Sequence, residues 1–136
     1  MKTALIFGSS GLVGGALLNL IIKDDNYNKI KLFVRSEPLI SGSKIEIVKT
    51  NFHNLENYKE SMVGEDCFFC IGTTRKNTPD KEEYTKIEYN LPIEVAKITK
   101  ENSISSFTYV SSLGAYISFA AALFFLFVLY KMFQSS

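Results

Sequence analysis

The sequence predicts an α/β fold in which about five parallel strands alternate with helices in three layers. Short apolar runs typical of buried strands are separated by segments whose apolar residues recur at helical spacing. Such alternation favours parallel strands joined by right-handed crossovers. The strand order that we expect for this fold is 3-2-1-4-5. A glycine-rich turn between the first strand and the first helix is the third observation. The 136 residues allow one domain.

The strands and helices follow one another along the chain with recognisable boundaries. Ala4–Phe7 is a short apolar run that ends at a glycine, as a buried strand does, and a helical pattern runs from Gly11 to Lys23. Four further strands are predicted at Lys29–Arg35, Lys44–Thr50, Asp66–Ile71 and Phe107–Ser112. Two further helices are predicted, one from Leu55 to about Met62 with Asn54 as its N-cap, and one from Asp80 to about Lys100 that is disturbed at Pro92. The charged residues that alternate in Lys44–Thr50 indicate a strand near the sheet edge.

Charge and cysteine content exclude several classes of function. The 15 Lys and Arg residues balance 14 Asp and Glu residues, so the net charge of +1 argues against a nucleic-acid partner. Cys67 and Cys70 are too few for a disulfide framework, and residues three apart on a strand point to opposite faces. We therefore interpret both as small buried hydrophobic residues, predict no metal site, and expect a reducing, cytoplasmic compartment.

The junction of the first strand and helix carries three glycines at intervals of three residues. Gly8 would allow a tight turn, Gly11 would let backbone amides approach a phosphate, and Gly14 would let the helix pack closely on the strand. The whole predicted phosphate loop is Gly8, Ser9, Ser10, Gly11, Leu12, Val13 and Gly14. Because a helix N-terminus supplies free N–H groups and a partial positive charge, this junction predicts a site for the diphosphate of NAD(P). The alternative is a Gly/Ser turn that binds nothing.

The residue at the end of the second strand bears on which dinucleotide is bound. Folds that prefer NAD place an acidic side chain there for the ribose hydroxyls, whereas a basic one suits the 2′-phosphate of NADP. Arg35 occupies this position and Glu37 lies close by. NADP is therefore the favoured cofactor and NAD the alternative. Arg35 could also be an ordinary solvated surface residue.

The Gly-x-x-Gly-x-x-Gly spacing resembles that of the atypical and extended short-chain dehydrogenase/reductases, which have a Rossmann fold. Three further segments, Phe69–Arg75, Glu83–Asn90 and Phe107–Ala115, resemble the Tat-interacting-protein-like oxidoreductases within that group. The resemblance covers residues 1–115. It implies an NAD(P)-binding Rossmann domain that is incomplete at its C-terminal side.

The resemblance also implies roles for individual residues. Asn51 and Phe52 would lie where this superfamily contacts adenine, and Ser112 would polarise a substrate carbonyl, with Ser111 as the alternative. The segment after the fourth strand would line the cofactor near its nicotinamide-side ribose, with the last residue contacting phosphate or substrate: Gly72, Thr73, Thr74 and Arg75. The structural alternatives are that these threonines shape a turn and that the serines satisfy backbone groups.

The acid/base pair that these reductases use is missing from the sequence. They place a Tyr-x-x-x-Lys pair downstream of the serine, and hydride transfer to a carbonyl needs a proton donor at the oxygen. Tyr116 and Tyr130 follow Ser112, but the residues four positions later are Ala120 and Gln134. The sequence thus predicts weak or absent oxidoreductase activity toward an unknown small-molecule substrate. The alternatives are a non-catalytic nucleotide sensor, a membrane-tethered interaction module, or a non-functional fragment.

Two other features carry no functional prediction. Tyr27 and Lys31 have the Tyr-x-x-x-Lys spacing but lie at the start of the second strand, so we interpret the match as chance. His53 is the single histidine and lies in a polar loop, which indicates a surface position.

An abrupt change in composition follows residue 115. Residues 113–130 contain no charged side chain, and as a helix they would span about 27 Å, close to the hydrocarbon thickness of a bilayer. The tail, residues 116–136, is therefore predicted to be an apolar helix. It would serve either as a C-terminal membrane anchor or as a core helix that covers the sheet.

Overall fold

The computed structural model describes residues 1–71 and 79–109, which form a five-stranded, fully parallel sheet with helices on its two faces. The strands are β1 (Lys2–Phe7), β2 (Tyr27–Val34), β3 (Ile45–Lys49), β4 (Asp66–Phe69) and β5 (Ser106–Tyr109). The helical segments are α1 (Leu12–Ile22), a 3-10 helix (Leu55–Ser61), α2 (Lys81–Thr85), a π-helix (Lys86–Asn90) and α3 (Leu91–Glu101). The order β3-β2-β1-β4-β5 confirms the predicted three-layer Rossmann topology. The apolar tail lies outside the described residues.

Alternating side chains of the central strand divide the core into two layers. Ala4 and Ile6 of β1 pack under α1, whereas Leu5 and Phe7 face the opposite layer. The α1 layer is filled by Leu17, Leu18, Ile21, Ile30, Leu32 and Phe68. The other layer is filled by Phe33, Leu55, Met62, Phe69, Leu91, Val95 and Ile98, so that α3 and the 3-10 helix cover this face. Residues Ala4–Phe7 of β1 are buried on both faces of the sheet, which explains why this part of the strand is uninterruptedly apolar.

The helix α1 is fixed at its C-terminus by a lysine from a distant loop. Lys44 Nζ donates to the carbonyl oxygens of Ile22 at 2.9 Å and Asp24 at 3.2 Å. The Ile22 carbonyl is at the end of the helix, where carbonyls have no intrahelical donor, and a cation there also interacts favourably with the helix dipole. The contact helps to hold α1 in position over the sheet.

The predicted helix after β3 is a 3-10 helix, and Asn54 does not cap it. The Asn54 side chain makes no capping hydrogen bond, because its backbone (φ −147°, ψ 64°) lies outside the extended conformation typical of an N-cap. The turn is held by bonds between residues three apart, such as Asn57 N–H to the Asn54 carbonyl at 3.3 Å. Asn102 Nδ2 fixes the other end by donating to the carbonyls of Lys59 and Met62.

The long crossover helix is disturbed ahead of Pro92 rather than at it. Pro92 occupies the first turn of α3, where its missing N–H is tolerated. The π-helix Lys86–Asn90 immediately precedes it. Because the proline ring cannot donate to the carbonyl four residues earlier and crowds it, the regular ladder widens there.

The two cysteines lie on opposite faces of the sheet region, as their spacing predicted. Cys67 is buried in the α3 layer, and Cys70 packs against the α1 layer. Burial raises the pKa of the Cys67 thiol well above its ordinary value, with the neighbouring Cys70 adding to it, and burial raises the pKa of Cys70 to about 12. Both side chains are therefore neutral thiols at physiological pH, and a reactive thiolate role is disfavoured.

A buried carboxylate of β4 links that strand to β1, β2 and β5 at the amino end of the sheet. Asp66 is 3% exposed and accepts hydrogen bonds from the Tyr27 hydroxyl at 2.5 Å and from Ser106 Oγ at 2.6 Å. Lys2 Nζ lies 3.5 Å from the same carboxylate. Lys31 instead donates to the carbonyl of Ser61. Tyr27 and Lys31 therefore serve separate structural contacts, Tyr27 at the amino end of β2 and Lys31 in the middle of that strand.

Candidate functional site

The glycine loop that follows β1 has a shape that two of its glycines make possible. Gly8 adopts φ +93°, and a Cβ there would lie 2.7 Å from the backbone of Cys70 and Ile71. A Cβ on Gly14 would lie 1.9 Å from the Gly8 carbonyl oxygen. The tight turn and the close packing of α1 on the loop therefore both require glycine.

Gly11 differs from these two because the fold itself does not require a glycine at this position. A Cβ at Gly11 would meet only the Gly8 carbonyl oxygen, at an ordinary 3.6 Å. Gly11 is the N-cap of α1, makes no side-chain cap, and is exposed beside the cleft. The open space above it fits a ligand group that approaches the backbone closely.

The N-terminus of α1 is free to bind an anion. The first turn of α1 contains no acidic residue. Gly15 N–H donates to the Gly11 carbonyl at 2.8 Å and begins the regular hydrogen bonds of the helix. The amides of the residues between Gly11 and Gly15 therefore have no acceptor within the helix. Such amides and the positive end of the helix dipole attract a phosphate group. The loop and the helix end therefore fit the diphosphate of a dinucleotide.

A cleft of about 930 Å³ extends from this loop across the carboxyl ends of the strands. Its walls come from the glycine loop and α1, from the segments after β2, β3 and β4, and from the crossover helix. Among the predicted site residues, those that line it are Gly8, Ser9, Ser10, Gly11, Arg35, Asn51 and Phe52. The volume is in the range of cofactor sites, and open α/β sheets bind ligands at this edge.

Of the other predicted site residues that the structure describes, none lines this cleft. Leu12 is 63% exposed, Val13 packs against the α1 layer of the core, and Gly14 packs against the Gly8 backbone. Their amides, rather than their side chains, are what the loop can offer a phosphate. Gly72, Thr73, Thr74, Arg75, Ser111 and Ser112 lie outside the described residues.

The segment after β2 brings a cation, Arg35, and a carboxylate, Glu37, to the cleft. Arg35 and Ser36 are exposed and line the cleft together with Glu37. In residues 1–71 and 79–109, no carboxylate forms an ion pair with Arg35. Its guanidinium group is therefore available to an anionic ligand.

The segment after β3 is held in a fixed turn. Asn51 Oδ1 accepts a hydrogen bond from the His53 N–H at 2.9 Å. The Phe52 ring lies 6.3 Å from the ring of Phe7, at the end of a row of aromatic rings that crosses the sheet. The row continues through Phe33, Phe69 and Tyr109. These rings give the carboxyl edge of the sheet a rigid apolar floor.

The crossover helix contributes residues to the cleft that the sequence did not indicate. Glu83 of α2 and Lys86 and Ile87 of the π-helix line it, and Lys86 Nζ contacts His53 Nδ1. His53 is exposed, as predicted, but its partner is 33 residues away in the chain. The sequence predicts a helix after β4, but it does not show which turn of that helix packs beside the end of β3. The cleft residues of this helix could therefore not be identified from the sequence.

Neither a metal site nor a membrane span is found in the described part of the chain. No group of three or more His, Cys, Asp or Glu residues is placed to hold a metal ion there. No described helix combines the length and the apolar character needed to cross a bilayer. Residues 113–130, for which a membrane anchor was predicted, lie outside these ranges.

Sequence comparison finds relatives among fungal proteins. The chain is 32% identical over 117 residues to "Protein FMP52, mitochondrial" of Eremothecium gossypii, covering 85% of this chain and 51% of that protein. It is 35% identical over 116 residues to the protein of the same name from Debaryomyces hansenii, covering 83% and 51%. The chain thus spans about half the length of the curated relatives it matches, and these carry the FMP52 name rather than that of the Tat-interacting-protein-like oxidoreductases. No family model matches the chain.

Structural comparison finds dehydrogenase-type folds. A variant of uronate dehydrogenase from Agrobacterium tumefaciens complexed with NAD matches with a TM-score of 0.68 at 14% identity, covering 82% of this chain and 41% of that one. The enzyme WbmH of Bordetella bronchiseptica in complex with NAD⁺ matches with the same TM-score and identity, covering 87% and 42%. The described residues therefore have a Rossmann fold, and the chain is similar in sequence to the FMP52 proteins.

Proposed function

We propose that this chain binds a nicotinamide dinucleotide in the cleft at the carboxyl ends of its strands, with NADP(H) preferred to NAD(H). The observation that carries the proposal is the glycine loop, whose backbone is open at Gly11 and followed by an uncapped helix end. The NAD complexes of the structural neighbours support the same class of ligand. We also propose that the chain is related to the Tat-interacting-protein-like oxidoreductases that its sequence resembles.

Gly11→Val tests the phosphate site directly. A Cβ at position 11 fits the free protein, because its nearest atom is the Gly8 oxygen at 3.6 Å, and the valine side chain occupies the space over the amides. We expect NADPH affinity, measured by fluorescence titration, to fall by at least about tenfold and the melting temperature to fall by only a few degrees. Gly42→Val is the matched control, since Gly42 lies outside the cleft and its Cβ would meet only the end of the Ile45 side chain. Unchanged NADPH affinity in Gly11→Val would contradict the proposal.

Arg35→Gln tests the preference for NADP. The guanidinium group has no carboxylate partner in the described part of the chain and lies at the end of the strand that reaches the ribose. Loss of a charge-assisted hydrogen bond should weaken NADPH binding by about tenfold and leave NADH binding within about twofold. Lys49→Gln, an exposed cation at the end of β3 that does not line the cleft, should change neither affinity. An equal loss of affinity for NADPH and NADH in Arg35→Gln would mean that the arginine does not recognise the 2′-phosphate.

We further propose that these 136 residues turn over a carbonyl substrate weakly or not at all. The support is that no lysine follows Tyr116 or Tyr130 at the spacing of the expected acid/base pair. A non-catalytic nucleotide-sensing role is the alternative that this absence favours. NADPH oxidation with a panel of carbonyl compounds separates the two, because a sensor binds the cofactor without consuming it.

We also propose that the chain is located in the mitochondrion. The names of the relatives describe mitochondrial proteins, which favours the mitochondrion over the cytoplasm for this chain. Fractionation of cells that express the tagged chain tests this, and carbonate extraction of the membrane fraction tests the anchor predicted for residues 113–130.

A further inference from the structure

Lys86 lies where the π-helix meets the end of β3. It is half-buried, lines the cleft, and its ammonium group contacts Nδ1 of His53. It also lines a small side cavity of about 190 Å³ together with Phe52 and His53. The contact with His53 therefore holds the ammonium group at the outer end of the cleft.

The ammonium group retains donors that the described residues do not use. An ammonium nitrogen has three hydrogens and only donates, so His53 Nδ1 accepts one of them. Glu82, Glu83 and Glu94 line the same cavities, but in the described ranges no carboxylate lies within ion-pair distance of Lys86. The remaining donors of Lys86 are therefore available to a ligand that offers an acceptor.

The order of the strands indicates which part of a dinucleotide reaches Lys86. The loop after β1 would hold the diphosphate, and the end of β2 would face the adjoining ribose. Since β3 is the next strand outward, the base attached to that ribose lies toward the end of β3. Lys86 contacts His53 in the turn that follows β3, and both residues line the same cleft as Arg35.

The surroundings of Lys86 have the character of a slot for a flat base. Phe52 and Ile87 are half-buried apolar side chains that line the cleft, and Asn51 and Lys86 supply polar groups beside them. A mostly apolar slot with a few polar groups is typical of a site that orients a ring system. Adenine presents an acceptor at N1 next to the amino group at C6, which donates. Asn51 Oδ1 can accept from that amino group, and Lys86 can donate to N1.

We propose that Lys86 donates a hydrogen bond to N1 of the adenine ring and so makes the cleft selective for adenine nucleotides. This inference rests on the proposed dinucleotide-binding function. It assigns to the crossover helix a role in recognising the base that is independent of the glycine loop.

The test pairs a change in the protein with a change in the ligand. ADP and 1-deaza-ADP differ only at N1, which in the second compound is a C–H group that cannot accept a hydrogen bond. By isothermal titration, the wild-type chain should bind 1-deaza-ADP about tenfold more weakly than ADP, as expected for the loss of one charge-assisted bond. In Lys86→Met the two compounds should bind within about twofold of each other, because the donor is gone.

Lys81→Met is the matched control, since Lys81 is an exposed lysine of α2 that does not line the cleft. It should show the same preference for ADP as the wild type. A preference in Lys86→Met as large as that of the wild type would overturn the inference. Titration of the wild type with NADPH shows whether only the inference about Lys86 fails or the proposed dinucleotide binding fails as well. Binding of NADPH without any preference for N1 overturns the inference alone, whereas binding of neither NADPH nor ADP overturns the proposed function as well.

Discussion

Gly14→Ala is expected to destabilise the protein by about 3 kcal/mol and to abolish dinucleotide binding. The new Cβ would lie 1.9 Å from the Gly8 carbonyl oxygen and 2.7 Å from the Gly8 carbonyl carbon. These are backbone atoms, so relief requires moving the loop or the helix rather than rotating a side chain. Alanine gains about 1 kcal/mol over glycine in helix propensity, which is too little to offset the clash. Thermal and urea unfolding measure the loss.

Gly15→Ala is the matched control for this prediction. It is the next residue of the same helix, and its Cβ would lie 3.4 Å from the Ser9 carbonyl oxygen, an ordinary contact distance. The helix propensity gain should then leave this variant as stable as the wild type or more stable, by up to about 1 kcal/mol. If Gly14→Ala were as stable as Gly15→Ala, the close packing of α1 on the loop would be wrong.

Asp66→Ala is expected to lower the free energy of unfolding by about 3 kcal/mol. The carboxylate is 3% exposed, and it accepts from Tyr27 and Ser106 and pairs with Lys2, so its removal takes a charged partner from three groups at once. The effect should appear in urea unfolding as a lower midpoint with an unchanged slope. Because the network lies at the amino end of the sheet, NADPH affinity of the folded fraction should remain unchanged.

Two comparison variants define what Asp66 contributes. Asp66→Asn keeps the shape of the side chain and can still hydrogen-bond to the hydroxyls, so it should be less destabilising than Asp66→Ala. Asp25→Ala removes an exposed carboxylate from the turn after α1 and should change stability by less than about 0.5 kcal/mol. Equal effects of Asp66→Ala and Asp25→Ala would show that the buried network does not stabilise the fold.

The elements that the sequence predicts correctly are those that depend on residues close to one another in the chain. The apolar run of β1 and the spacing of Gly8 and Gly14 reflect steric requirements between a strand, a turn and a helix that are adjacent in the chain. Asn54 and Pro92 show where local rules are insufficient. Asn54 has the residue type of an N-cap without the backbone conformation, and the effect of Pro92 falls on the turn before it.

The candidate site was predicted only on the sheet side of the cleft. Arg35, Asn51 and Phe52 follow strand ends, and the carboxyl ends of parallel strands meet at one edge, so their place could be argued from the sequence. Lys86 carries no such signal, because a lysine in a polar helix is most often solvated. Its contact with His53 exists only once the crossover helix is packed on the sheet.

The sequence by itself determined the alternation of strands and helices and the glycine loop at the carboxyl end of β1. Tertiary structure alone decided that Tyr27, Asp66 and Ser106 share one buried network and that Lys86 lies at the end of β3. Hydrophobic periodicity and turn sterics act over a few residues and can be read along the chain. Partners 33 to 40 residues apart meet only when strand register and helix packing bring them together.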